Sequence, residues 1–289
     1  MENIGGQAVI EGVMIRGPKA YSIALRKPNG KIKVKKVRHI SLLKRNKIVS
    51  LPFIRGVFVL FESIAIGMKA LNYSASVSGE EQGVELKGWH LFLTIVLAVV
   101  FGLLLFKALP LAVAQGLGWL IPVFGNLFLF NIAEGLVKVM VLFAYILLIS
   151  RMKDVKRLFQ YHGAEHKVVN CYEAGKKLAF RNIAKFSTIH PRCGSSFMLL
   201  VLVVSIVFYM LIPLQINYFA KLGVRILLLP LIGGVTYEII KLGSKYKDSW
   251  LSSALLWPGA MVQKLTTSEP DKKQIEVAIK AVEKVSEKN

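Results

Sequence analysis

The sequence predicts a polytopic α-helical membrane protein with about four transmembrane helices, a small cytoplasmic N-terminal antiparallel β-sheet and a cytoplasmic C-terminal amphipathic helix. Three observations carry that prediction. The 289 residues are 54% hydrophobic with a mean hydropathy of +0.52, far more apolar than a soluble domain of this length requires. Four segments, Trp89 to Leu109, Asn131 to Ser150, Phe197 to Ile212 and Leu222 to Ile240, are apolar and long enough for helices crossing about 30 Å of hydrocarbon. Third, the basic residues are unevenly shared. Residues 1 to 51 hold twelve Lys and Arg against two acids, residues 151 to 195 ten against three, and residues 241 to 289 nine against six. The connections near 110–130 and 213–221 are nearly free of charge. Short loops rich in Lys and Arg stay cytoplasmic, so the N-terminus, the central loop and the C-terminus are all expected on that side.

The net charge of +21 is then mostly a consequence of topology. No aromatic-interleaved basic motif accompanies it, so a specific nucleic-acid partner is not expected. The lipid bilayer is the expected partner, with anionic lipid or the ribosome as further ones. The first residues lack an apolar signal-peptide core, so they are expected to be retained. Cys171 and Cys193 are the only cysteines, which fits a reducing compartment.

Taken in order, residues 1–50 read as a β-rich domain. Ala20 to Arg26 and Lys31 to Ile40 alternate around Lys27-Pro28-Asn29-Gly30, a hairpin signal, and Gly5 to Arg16 supplies a third strand. Residues 51–73 read as an amphipathic helix lying at the membrane interface. Arg55, Glu62 and Lys69 recur at intervals of seven on one face, while Phe53, Val57, Leu60, Ile64 and Leu71 cover another. Residues 89–150 carry the first two spans, and Gly116 to Leu129 between them reads as a loop or a re-entrant hairpin. Lys107, Glu134, Lys138 and Glu238 are costly in hydrocarbon unless paired, and Glu134 and Lys138 are four apart in the favourable order. No broken-helix repeat points to a transporter.

The cytoplasmic loop, residues 151–195, opens with a helix continuing the second span from Arg151 to a stop at Gly175. Residues 196–241 hold spans three and four. In residues 246–289, Trp250 to Val262 reads as interfacial, and Thr266 to Pro270 caps a helix whose stripe is Ile275, Ala278, Ile279, Val282 and Val285. That stripe is expected to pack on the chain's own sheet.

The chemistry concentrates in Tyr161-His162-Gly163-Ala164-Glu165-His166. His162 and His166, four apart, project from one helical face and can share an ion. Glu165 completes His-x-x-Glu-His, in which two imidazoles bind zinc and the glutamate is the general base. Glu173 shares the face but lies about 10 Å along the axis, too far to ligate the same ion. The other His and Cys of the loop are His190 and Cys193, in a turn made by Pro191 and Gly194. The predicted metal set is therefore His162, His166, His190 and Cys193, holding zinc or another divalent metal, with Glu165 catalytic. The competing reading is structural, with two histidines lining a helix, His190 capping a turn and Cys193 a small buried residue. Gly163 costs about 1 kcal/mol of helix propensity, explicable as room for a close approach.

Several motifs together resemble the bacterial YqhQ-like integral membrane proteins. They are Gly5-Gly6-Gln7-Ala8-Val9-Ile10-Glu11-Gly12-Val13-Met14, Leu71-Asn72-Tyr73-Ser74, Tyr161 to Lys167 with Tyr172-Glu173, His190-Pro191-Arg192-Cys193-Gly194, and Pro258-Gly259 with Gln263 and Leu265-Thr266-Thr267. Ser195 stands where that family's pattern leads one to expect threonine. The resemblance covers nearly the whole chain. It implies a multi-pass protein of the bacterial cytoplasmic membrane and a predicted metal-dependent enzyme, a label resting on the same histidine motif. Two functions follow as expectations. One is a metal-dependent hydrolase at the cytoplasmic membrane face. The other is a non-catalytic accessory factor for membrane-protein insertion or quality control that docks a ribosome, translocon or membrane protease. Four protein ligands would close a zinc site, whereas three leave the open position that catalysis needs.

Overall fold

The computed structural model describes residues 4–44, 49–80, 88–246 and 249–287. The N-terminal sheet is an antiparallel meander of four strands, β1 (Gly5–Val9), β2 (Gly12–Arg16), β3 (Ala20–Arg26) and β4 (Ile32–Arg38), in that order. The stretch expected as one strand, Gly5 to Arg16, folds as two, because a two-residue turn at Ile10-Glu11 reverses the chain and pairs Val9 with Gly12. Glu11 takes φ 54 there, a conformation that the sequence does not advertise with Asn or Gly. The Asn29-Gly30 hairpin forms as expected, with Gly30 at φ 82.

Period-two alternation gives the sheet two apolar faces. Val13, Ile15 and Ala24 face α5 (Lys153–Glu173) and α11 (Lys272–Ser286), where Tyr161, Ala164, Val168, Ala278 and Val282 are buried. Met14, Tyr21, Ile23 and Leu25 face Ile66, Ala70 and Val77 of α1 (Ile54–Glu80). The C-terminal stripe thus lies on the sheet, and Ser22 Oγ donates to the Ala281 carbonyl at 2.6 Å. Its cap differs from expectation. Asp271 accepts from Gln274 N at 2.8 Å while Gln274 Oε1 accepts from Asp271 N at 2.9 Å, so Pro270 precedes the cap instead of opening the helix.

The sheet is tied to α1 by Glu62, which is buried and accepts from Arg16 at 2.5 Å, Ser41 at 2.8 Å and Leu42 N at 3.2 Å, with His39 Nε2 at 2.7 Å. Burial pushes its carboxyl up, but the bonds from Arg16, Ser41 and His39 outweigh that and hold it below the ordinary value of 4.5. A depressed folded pKa contributes stability that is present above the unfolded pKa and lost as pH falls through the folded one. Glu62→Gln is therefore expected to cost about 1–3 kcal/mol near neutrality and to flatten the decline of melting temperature below about pH 4.5. An unchanged acid limb in thermal melts would show that Glu62 is not the group responsible.

The remaining helices, mostly apolar, are α2 (Gly88–Leu103), a π-helical turn (Leu104–Ala108), α3 (Leu109–Leu120), α4 (Leu127–Ile149), the short polar α6 (Phe180–Ile183), α7 (Gly194–Tyr209), α8 (Tyr218–Leu227), α9 (Leu229–Lys245) and α10 (Trp250–Thr266). The first expected span does not stop at Leu109. Leu93–Leu120 is one 28-residue apolar helix, and a tight 3₁₀ turn at Pro122–Gly125 leads into the 23 residues of Leu127–Ile149. Most of Gly116 to Leu129 is therefore helix, with the break placed by Pro122. The fourth expected span is bent by 43° between α8 and α9, where Pro230 in the first turn of α9 forbids a continuous ladder. The π turn lies just before Pro110 for the same reason, with Leu109 N bonded to Leu104 O. Among the described residues, two helices have the length and composition to cross a membrane, or three if α8 and α9 form one span; α7, at 16 residues, is shorter.

Candidate metal centre

Four segments meet where α5 passes the N-terminus of α7: the middle of α5, the loop 187–193, the first turn of α7 and the strap 266–269 that joins α10 to α11. α5 starts after a break at Ser150 to Met152, not as a direct continuation of α4. It ends in a Schellman turn. Gly175 takes φ 70 and Lys176 N bonds to Cys171 O at 3.1 Å.

The strap crosses α5 directly over Gly163. A Cβ at that position would lie 2.1 Å from the Ser268 carbonyl oxygen, and Ser268 N bonds to Phe159 O at 3.0 Å. The close approach suggested by a glycine inside a helix is thus one of backbone on backbone. Lys167 pairs with Glu269 and closes the other side of the crossing.

Both histidines are oriented by carbonyls. His162 Nδ1 donates to Thr266 O of the strap at 2.8 Å, and His166 Nδ1 donates to Thr188 O at 2.5 Å. Each ring therefore turns its Nε2 lone pair inward, the arrangement in which outer contacts fix the tautomer of a metal ligand. Cys193 caps α7, its Sγ accepting from Ser195 N at 3.4 Å, and the same sulfur is 3.3 Å from His162 Nε2. The ligand atoms of His162, His166 and Cys193 all lie within 4.8 Å of one another. Two atoms bound at 2.0–2.3 Å to one tetrahedral ion stand about 3.5 Å apart, so the donor set and its spacing fit a zinc-like cation.

His190 stands beside this group, not in it. Its ring centroid is 5.8 Å from that of His166, Nδ1 accepts from Arg192 N at 3.3 Å, and Nε2 faces Glu173 at 3.4 Å. With both nitrogens engaged, it has no lone pair left for the shared position. Glu173 is the residue that claims it, together with an ion pair to Arg192. Burial pushes the Glu173 carboxyl up, but the His190 bond and the Arg192 charge hold it below the ordinary carboxylate range.

Glu165 is 3% exposed, with Oε2 3.5 Å from His166 Nε2. Its other neighbour is β1. A Cβ on Gly6 would lie 3.0 Å from Glu165 Oε1, and the Gly6 backbone N–H bonds the carboxylate. Burial, partly offset by His162 and His190, holds this carboxyl above the ordinary range. Burial lowers the pKa of His166, despite a bond to Cys193.

The loop is fixed by two amides that residue-type reasoning about ligands does not single out. Asn170 Nδ2 donates to Ser187 O and Ile189 O, both at 3.0 Å. Gln263 of α10 is 1% exposed and grips His190 from both sides, accepting from its N–H at 2.8 Å and donating to its carbonyl at 2.9 Å. Its place beside Pro258-Gly259 among the motifs of the family resemblance is the signal in the sequence.

The chain matches a family model described as a protein of unknown function (DUF1385) over residues 51–288. A relative from Bacillus subtilis (strain 168), the uncharacterized protein YqhQ, is 35% identical over 305 aligned positions that cover 99% of this chain and 94% of the relative. No solved structure matches.

Proposed function

We propose, for a chain that belongs to the DUF1385 family of YqhQ-like proteins, a metal-dependent hydrolase held at the membrane surface. The observation that carries this reading is the convergence of three ligand atoms, on His162, His166 and Cys193, beside a buried carboxylate on Glu165. A two-His, one-Cys set leaves a coordination position for water or substrate. A divalent cation held there would supply Lewis-acid polarisation of a water or of a carbonyl or phosphoryl oxygen. The chain's own part is to point both Nε2 atoms inward, through Thr266 O and Thr188 O, and to move a proton at Glu165. A carboxyl held above its ordinary range suits that role near neutral pH.

Burial favours a second reading. His166 and Cys193 are 2% and 8% exposed, and the strap holds His162 through Thr266 O. On that reading the ion is a staple fixing α5, the 187–193 loop and the strap in an accessory factor for membrane-protein insertion, translocon or protease quality control.

The two readings share a first test. Elemental analysis of purified protein is expected to give about one equivalent of zinc or another divalent metal per chain. His162→Ala, His166→Ala and Cys193→Ser should each lose it, while His190→Ala keeps it. Metal-free wild-type protein would remove both readings.

The membrane arrangement proposed with this site has four spans, α2–α3, α4, α7 and α8–α9, in the bacterial cytoplasmic membrane with both termini cytoplasmic. Three stretches hold 31 Lys and Arg in total (12 + 10 + 9), and the two opposite connections hold almost none. The starts of α2 and α7 and the ends of α4 and α9 then share one side with the sheet. On α1, Phe58, Phe61 and Ile64 are exposed, which suits a helix lying against lipid. A cysteine placed at Lys19, exposed beside Ala20, should resist a membrane-impermeant maleimide in intact cells and react after lysis; labelling in intact cells overturns the orientation.

A further inference from the structure

At the end of the helical bundle away from the histidines, five charged side chains are buried together. Lys107 of the π turn, Glu134 and Lys138 of α4, and Lys221 and Arg225 of α8 are each no more than 7% exposed. Glu134 pairs with Lys138 at 2.6 Å and with Arg225. Tyr209, which ends α7, lies between them. Lys107 Nζ donates to its hydroxyl at 3.0 Å, and Lys138 Nζ and Arg225 Cζ sit 4.3 and 4.6 Å from its ring centroid. Lys221 Nζ stands 5.5 Å from the ring of Phe130.

Counted at their ordinary charges, four cations face one carboxylate, a surplus of three (4 − 1) among the described residues. The two pairings occupy Glu134, so Lys107 and Lys221 form no ion pair among the described residues. Arg225 Nε is also buried without a hydrogen-bond partner among the described residues. Unpaired buried charge costs far more than ring contacts return.

Two further features converge on the same place. The π turn carries Lys107, and Arg225 sits in the last turn of α8, just before the 43° bend into α9. Helix irregularities of this kind gather at functional sites. α8 is also reversed in polarity, with Lys221 and Arg225 inward and Phe219, Val224 and Leu227 outward. Tyr218 OH donates to Ala108 O at 2.9 Å and pins the start of α8 against the π turn.

We propose that Lys107, Lys221 and Arg225 form a binding site for a phosphate-bearing anion, taken from an anionic lipid headgroup or as free phosphate. A guanidinium with two ammonium groups is suited to phosphate. Lys221 and Arg225 lie about 4.5 and 10.5 Å from the start of α8, within reach of a headgroup whose acyl chains lie along the outward apolar face. The site is separate from the histidine group and does not depend on a metal.

The test is thermal unfolding of the delipidated full chain in detergent, at constant ionic strength, with dioleoylphosphatidylglycerol, dioleoylphosphatidylcholine or inorganic phosphate. Phosphatidylglycerol is expected to raise the melting temperature by roughly 5 °C or more at saturation, and phosphatidylcholine is not. An equal rise with inorganic phosphate assigns the site to the free anion; a rise with lipid alone assigns it to the headgroup. The Lys107→Gln/Lys221→Gln variant should lose the response. Lys221→Glu, which supplies a second internal carboxylate, should melt higher than wild type without lipid and respond little. No response in wild type, or a full response in the double variant, overturns the proposal. Should the double variant not fold, a wild-type response in Lys221→Glu overturns it equally.

Discussion

Replacing Glu165 with glutamine is expected to leave metal content and melting temperature close to wild type while reducing function at least 100-fold. The side chain changes by one atom. Glutamine keeps an oxygen for the Gly6 N–H and adds no volume beneath β1, where a Cβ on Gly6 would lie 3.0 Å from the carboxylate. It also lifts no ligand away, since His162, His166 and Cys193 are held by Thr266 O, Thr188 O and the first turn of α7. What it removes is the ability to accept a proton. Complementation of a deletion strain, read beside elemental analysis and a melt of the same preparation, checks the prediction. If Glu165→Gln complements fully, and only His162, His166 or Cys193 variants fall in abundance, the accessory-factor reading replaces the hydrolase.

Glu134→Gln is expected to have the largest effect on stability of any single polar substitution in the bundle. Its carboxylate is 1% exposed and serves both Lys138 and Arg225, themselves 1% and 2% exposed. Removing the one carboxylate from a buried group leaves the cations uncompensated, at a cost of about 3–5 kcal/mol. For a chain of this size, that corresponds to a fall of roughly 10 °C in melting temperature. Glu134→Gln combined with Lys138→Met removes one opposing charge and should recover part of the loss. If the double variant is no better than the single, the cost is one of packing and not of charge.

The features legible in the sequence are those carried by local chemistry. Asn29-Gly30 announces its hairpin, Gly175 followed by two lysines announces the end of α5, and the spacing of Ile275, Ala278 and Val282 announces a face that needs cover. The two histidines four apart on α5 are legible for the same reason. The turn at Ile10-Glu11 is not, because Glu11 adopts a positive φ that tight pairing of Val9 with Gly12 imposes. The bends at Leu104–Ala108 and Leu228 arise from Pro110 and Pro230, but hydropathy averaged over a span hides where a proline acts. His190 shows a different limit. Spacing from Cys193 makes it a reasonable ligand, and distance along the helix sets Glu173 apart from His162 and His166. What spacing cannot reveal is that Glu173, freed from the ion, takes His190 for itself. The carbonyls of Thr188 and Thr266 and the amide of Gln263 act through backbone geometry, which residue types do not encode.

The contact between Ser22 and Ala281 joins residues 259 apart, and it sets an order of events during synthesis. The four strands emerge first, yet the face formed by Val13, Ile15 and Ala24 has no cover until α5 and then α11 have been translated. Every apolar helix of the bundle is made in between. Loop closure over such a separation is slow, and an uncovered apolar sheet is prone to wrong associations while it waits. The meander therefore acquires its finished core only once α11 has been made, long after its own strands.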